Sequence, residues 1–176
     1  MRFLSLLLLA VTVVFSATKA PEIVLETSAG KIEIVLMPDI APKAVENFVT
    51  HINNGYYNNG VFHRIIKDFM IQGGDPQGDG YGGESIWGKG FAIEVRPEVT
   101  FDRPGLLAMA KTSAPKSQGS QFFITTVATP HLNGGYTIFG EVKPESMKVV
   151  HILEKTRVRG DTPYKKPKII KAWVKK

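Results

Sequence analysis

Apolar and polar positions alternate with a period of two early in the chain. In Ile23-Val24-Leu25-Glu26-Thr27 and Lys31-Ile32-Glu33-Ile34-Val35-Leu36, β-branched residues dominate, and Ser28-Ala29-Gly30 between them has the length of a hairpin connection. The pattern predicts two antiparallel strands. The period then changes: Ala44, Val45, Phe48, Val49 and Ile52 recur at helical spacing, with Pro42 suited to a first turn and Gly55 to a stop, which predicts an amphipathic helix. Short strand candidates return at Val61 to Ile66, Met70 to Gly73, Leu106 to Ala110, Gln121 to Thr125 and Tyr136 to Val142. A second helix is predicted over Glu145 to Glu154, where Met147, Val150 and either Leu153 or Ile152 share a face, and a last strand over Lys168 to Val174.

Many short strands with two helices predict a mainly β domain, and a closed antiparallel barrel leaves no sheet edge to protect. No repeat, low-complexity stretch or linker suggests a second domain. The glycine-rich passage from Gly73 to Gly90 is too long for a simple connection, and loops of that length in a compact domain usually serve function. It is expected beside the working surface.

The N-terminus departs from globular patterning. Met1-Arg2 precedes an apolar run from Phe3 to Phe15, interrupted only by Ser5 and Thr12, and Thr18-Lys19-Ala20 then turns small and polar. This is the pattern of a secretory signal peptide, read as residues 1–20 with the domain at 21–176; cleavage after Ser16 or Ala17 is the alternative. The run is short for a bilayer span, so membrane attachment is expected only if the signal is not cleaved. The chain has no cysteine, so an exported domain would rely on its core rather than on disulfides. With no Asn-x-Ser/Thr sequon and an ending of Val174-Lys175-Lys176 that carries no luminal retention signal, a periplasmic or secreted location is expected ahead of the endoplasmic reticulum lumen.

The formal charge is +6, and six lysines fall between Lys165 and Lys176. A solvated lysine-rich strand explains them without nucleic acid, because Trp173 is the one aromatic among them, short of the interleaved set that base stacking requires. Other chemistries lack their parts. There is no thiol and no Gly-x-Ser-x-Gly elbow, and His51, His63, His131 and His151 are not at metal-ligand spacing; His51 and His151 read as helix-surface positions. Gly78-Asp79-Gly80-Tyr81-Gly82-Gly83 satisfies a dinucleotide-binding pattern, but the segment from Glu84 to Gly90 does not read as the helix that motif needs. Asp75 and Asp79 suggest a calcium loop, yet the twelfth position is Ile86 rather than glutamate.

The informative stretch is Phe62-His63-Arg64-Ile65-Ile66-Lys67-Asp68-Phe69-Met70-Ile71-Gln72-Gly73-Gly74-Asp75, which reads as two strands joined by a tight loop. A three-residue loop, Lys67 to Phe69, pairs Ile66 with Met70 and Arg64 with Gln72, placing Arg64, Met70 and Gln72 on one face. A two-residue loop would set Arg64 opposite Ile71 and dissolve that grouping. A cation and an amide on an apolar face must either pair, with each other or with a carboxylate, or meet a ligand, since unpaired burial costs several kcal/mol.

This stretch, together with Leu107-Ala108-Met109-Ala110, Gly119-Ser120-Gln121-Phe122-Phe123-Ile124-Thr125, Phe139-Gly140-Glu141-Val142 and Glu84-Ser85-Ile86-Trp87-Gly88, resembles the cyclophilins in motif order from Ile23 to Val174. The resemblance implies a closed eight-stranded antiparallel β-barrel capped by two α-helices, with peptidyl-prolyl cis-trans isomerase activity at a groove on its outer surface. It further implies that Arg64 is the catalytic guanidinium and that Phe69, Met70, Phe123 and Leu132 line a proline pocket. Gln72 would bind substrate backbone, and Ala110 with the main chain of Lys111 would hold the extended peptide. No cofactor is implied.

Three positions depart from the family's common form. Lys111 stands for asparagine, His131 for the tryptophan of many eukaryotic members, and Tyr136 for histidine. The last two resemble the bacterial exported branch, and the loss of an indole predicts weakened affinity for cyclosporin, the family's cyclic peptide ligand. The expected partners are proline-containing peptides and unfolded exported proteins, met by a monomer.

Overall fold

The computed structural model describes residues 20–176, so the candidate signal peptide lies outside the described residues except for Ala20. The strands are β1 (Glu22–Thr27), β2 (Gly30–Leu36), β3 (Arg64–Ile66), β4 (Met70–Gly73), β5 (Phe91–Ala92), β6 (Leu106–Met109), β7 (Lys116–Gln118), β8 (Phe122–Thr125), β9 (Ile138–Val142), β10 (Val158–Arg159), β11 (Thr162–Pro163) and β12 (Ile169–Val174). The helices are α1 (Pro42–Asn53) and α2 (Met147–Glu154), with 3₁₀ turns at Pro130–Leu132 and Pro144–Ser146. Eight strands form one curled antiparallel sheet in the order β12-β1-β2-β9-β6-β8-β4-β3, while β5 pairs with β7 and β10 with β11.

The expected closed barrel needs correction on one point. Its edge strands, β3 and β12, are not laddered together. They approach at an isolated bridge, Val61 to Lys168, where Phe62 donates to the Pro167 carbonyl at 2.9 Å and Ile169 to the Gly60 carbonyl at 2.8 Å. The reason is register: the antiparallel bridge sets β12 opposite residues 55–60, which form a turn, and sets Arg64 opposite Lys165, before β12 begins. The β10–β11 hairpin covers that edge instead, with Ile65 donating to the Asp161 carbonyl at 2.8 Å.

Alternation sorts each strand between two clusters. Ile71 of β4, Phe122 and Ile124 of β8, and Leu107 and Met109 of β6 join Ile23, Leu25, Ile32, Ile34 and Phe139 in the inner core. Phe48 of α1 enters it with ring centroids 5.1 Å from Phe139 and 5.2 Å from Phe122. The helix begins at Pro42, whose missing N–H costs nothing in the first turn, and the Glu94 carboxylate accepts from the Lys43 and Ala44 N–H groups at 3.1 and 2.9 Å because Ala41 has no capping side chain. In α2 the choice left open by periodicity falls to Leu153, which is buried, whereas Ile152 is 55% exposed. His51 is not a surface residue: it is buried, and its Nε2 lies 3.0 Å from the Glu84 carbonyl. A carbonyl can only accept, so that nitrogen carries the proton.

On the opposite face, Met70, Leu106, Ala108, Phe123, Phe101, Leu132 and Ile138 form a second, smaller cluster. It forms the floor of a groove on the outer surface.

Candidate active site

The β3–β4 hairpin sets the geometry. Its register is Arg64 to Gln72, Ile65 to Ile71 and Ile66 to Met70, the one a three-residue loop predicts. Asp68 occupies the left-handed region at φ +56°, which aspartate tolerates better than most residues, and its N–H donates to Glu154 Oε1 at 2.8 Å. Burial pushes the Glu154 carboxyl up, but its contacts with the Asp68 N–H and His151 Nδ1 help lower its pKa on balance, so the turn bearing Phe69 is held by a charged acceptor.

The hairpin opens on a cavity of about 520 Å³ lined by residues of both sequence motifs and loops. One wall is apolar: Met70 and Phe123 are 1% and 5% exposed, and Leu132 and Phe69 close it. Phe123 stacks on Phe101 at 6.1 Å and meets Tyr136 edge-on at 5.6 Å. The 3₁₀ turn aims Leu132 inward. The segment around it is pinned where Thr129 donates to the Phe101 carbonyl and Phe101 to Asn133 Oδ1, both at 2.8 Å.

The other wall is polar. Arg64 Nε donates to Asp161 Oδ2 at 2.8 Å and Nη1 to Gln72 Oε1 at 3.3 Å. Its remaining N–H groups meet no acceptor among the described residues. The pairing expected of this cation is present, with an amide and a carboxylate, and the guanidinium still has donors to spare. Gln72 Nε2 passes the chain to Gln121 Oε1 at 2.8 Å, and Gln121 Nε2 bonds the Gly80 and Gly82 carbonyls at 3.0 and 2.8 Å.

That last contact ties the glycine-rich passage to the site, and Asp79, Gly80 and Tyr81 line the cavity. The passage is organised by buried Asp75, whose carboxylate accepts from the Gln77, Asp79 and Gly80 N–H groups at 3.0, 2.9 and 2.6 Å. Burial pushes this carboxyl up, and the Gly80, Gln77 and Asp79 N–H groups more than offset it, leaving its pKa lowered. His63 is 5% exposed with neither ring nitrogen partnered within the described residues, and burial holds its pKa below the usual value despite the nearby Asp75 charge.

Of the residues singled out from sequence, Arg64, Phe69, Met70, Gln72, Ala110, Lys111, Phe123, Leu132 and Tyr136 all line this cavity. No hydrogen bond among the described residues uses the Lys111 main chain, which is free for an extended peptide; its Nζ sits 5.2 Å above the Tyr136 ring. His131 is the exception. It is exposed on the 3₁₀ turn with its ring 5.5 Å from Phe69, outside the lining, because a three-residue turn that buries Leu132 sends its neighbour outward. Sequence reasoning missed His63, Gln121, Asp161 and Thr162 as site residues. Gln121 lay in a recognised motif, whereas the turn signal at Gly160-Asp161 says nothing about which strand the hairpin meets.

Fold and groove together define a β-sheet protein with an open peptide-sized cleft on its outer face. Residues 22–174 match the family described as cyclophilin type peptidyl-prolyl cis-trans isomerase/CLD, and the chain belongs to that family. It is 48% identical over 163 residues, 92% of its length, to peptidyl-prolyl cis-trans isomerase CYP71 of Arabidopsis thaliana, and spans 26% of that protein. It is 49% identical over 150 residues to peptidyl-prolyl cis-trans isomerase cypE of Dictyostelium discoideum, covering 85% of this chain and 95% of that one. A crystal structure of a cyclophilin type isomerase of Cryptosporidium parvum, obtained in the presence of the dipeptide Ala-Pro, superposes with a TM-score of 0.84 at 39% identity, covering 88% of this chain and 99% of the other.

Proposed function

We propose that this protein is a peptidyl-prolyl cis-trans isomerase in which Arg64 donates to the prolyl nitrogen while the apolar wall holds the proline ring. The observation that carries the reading is a guanidinium anchored through Nε and Nη1 beside an apolar cavity, with donors left over. Rotation about an amide faces about 18–20 kcal/mol because resonance makes the C–N bond partly double. In the twisted state the nitrogen lone pair is freed and accepts a hydrogen bond, which neither planar state offers, so the donor stabilises the barrier selectively. Met70, Phe123 and Leu132 grip the ring. Gln72 and the Lys111 main chain hold the flanking backbone, so one side of the bond turns against the other.

No bond breaks and no essential ionisation is involved, so the rate profile is expected to be flat from about pH 6 to 9. Arg64→Ala should lower turnover of an X-Pro peptide, measured by NMR exchange, about 100-fold, the scale of losing one transition-state donor. Its urea midpoint should stay near wild type, because an ion pair this exposed adds little stability. Near-normal turnover in that variant overturns the reading.

We further propose that the protein acts as an exported monomer on proline-containing segments of unfolded exported proteins, in the periplasm or outside the cell, as in the family's bacterial exported branch. Support comes from Met1-Arg2, the apolar run to Phe15, and His131 and Tyr136. N-terminal sequencing of the protein recovered from its source should find a start at Pro21; an intact Met1 on soluble protein excludes cleavage.

A further inference from the structure

Asp161 is the carboxylate that meets Arg64, and it arrives from a part of the chain 97 residues away. Its placement is built by backbone rather than by a flexible side chain. Gly160 takes φ +65° at the first of the two loop positions between β10 and β11, the conformation that two-residue hairpin loops with leading glycine require. The Asp161 carbonyl accepts from the Ile65 N–H at 2.8 Å, so the residue is bonded to the immediate neighbour of Arg64 on β3. The carboxylate then takes the Nε proton at 2.8 Å.

Nε is the donor closest to the aliphatic stem, so a bond there fixes the plane of the guanidinium and leaves its distal edge exposed. Gln72, at 3.3 Å from Nη1, is a longer and weaker restraint. The pair is too exposed to contribute much stability, with side chains 41% and 47% accessible. Orientation of the donor is the effect that remains. The Arg64 guanidinium accordingly lowers the Asp161 pKa, keeping the acceptor charged through the neutral range.

We propose that Asp161 is a positioning residue for the isomerase reaction, holding the Arg64 guanidinium in the plane from which its free edge reaches the prolyl nitrogen. The proposal rests on the isomerase function of Arg64, and it adds the β10–β11 hairpin to the working parts of the site.

The test is a set of four proteins, wild type, D161A, D161N and R64A, with the double variant R64A/D161A, assayed by NMR exchange on one X-Pro peptide. D161A should lower kcat about tenfold with KM little changed, since misplacement of a catalytic group costs rate while the apolar wall is untouched. D161N keeps an amide oxygen at the same place and should recover most of the loss. In the R64A background D161A should have no further effect, the non-additivity expected when one residue acts through another. The Arg64 Nε–H signal, assigned by its absence in R64A, should be visible in wild type and D161N and lost to solvent exchange in D161A. Matching urea midpoints would show that D161A is folded. Wild-type kcat in D161A, equal losses in D161A and D161N, or additive losses in the double variant would each overturn the proposal. An R64A enzyme as active as wild type would instead remove the function assigned to Arg64, a separate outcome read from a separate variant.

Discussion

The two faces of strand β8 share a backbone and differ in almost everything else. Phe122 points inward, fully buried, with Phe48, Tyr57 and Phe62 around its ring at 5.2, 5.5 and 6.4 Å. Phe123, one residue on, points outward against Phe101 and Tyr136 and ends at a cavity. Inside, side chain meets side chain and the helices supply the cover. Outside, the same alternation builds a smaller apolar cluster, also buried, that borders an open groove edged by Arg64, Gln72 and Gln121. A sheet whose core lies on one side has its other face available for a different task, and here the apolar cluster on that face lies under the groove.

This contrast can be broken most severely from inside. Phe122→Ala should cost about 3–5 kcal/mol in urea unfolding, because neighbours packed on all sides cannot collapse into the space. Phe123→Ala sharpens the comparison: water can enter the groove, so the loss should be near the transfer value of about 2 kcal/mol, while KM for an X-Pro peptide rises as the ring loses its wall. Equal stability losses at the two positions would show that the outer cluster is ordinary core.

Asp75→Ala should cost about 2 kcal/mol by leaving the N–H groups of Gln77, Asp79 and Gly80 without their acceptor. It should also loosen the passage that lines the groove, visible as faster amide hydrogen exchange there than in β1 or β2.

The smallest effect is that of pH. Burial lowers the folded-state pKa of both His51 and His63 below 6.5, so both are favoured neutral in the native protein. Their contribution is complete above the unfolded value and is lost as pH falls through the folded one, because the unfolded chain then binds more protons. Urea midpoints should therefore be level between about pH 7 and 8 and decline toward about pH 5, and less so in H63N than in wild type. Cyclosporin tests the open rim of the outer face: with His131 outside the cavity lining, inhibition is expected to need more than micromolar ligand, and submicromolar inhibition contradicts it.

Much of this arrangement was legible in residue pattern. β1, β2, α1 and the two strands of the β3–β4 hairpin follow from periods of two and 3.6, which are local properties, while the length of the loop between β3 and β4 was left at two or three residues. The pairs β5–β7 and β10–β11 were not legible, since strands of two or three residues carry no period to read. His51 was hidden for another reason: it flanks the apolar face of α1, and its burial depends on the segment carrying the Glu84 carbonyl, 33 residues on.

For the site, sequence alone determined that Arg64, Met70 and Gln72 share a face if the loop between them is three residues long, and the observed register decided for that length; the motifs around Phe123 and Ala110 joined them through the family resemblance. It also determined that a cation on that face needed partners. Which partners, and in what geometry, was decided by the tertiary structure. Asp161 reaches Nε only because a hairpin 97 residues on docks against the short edge strand β3. Contacts between segments so far apart depend on the packing of the whole sheet, a property no local stretch of residues encodes.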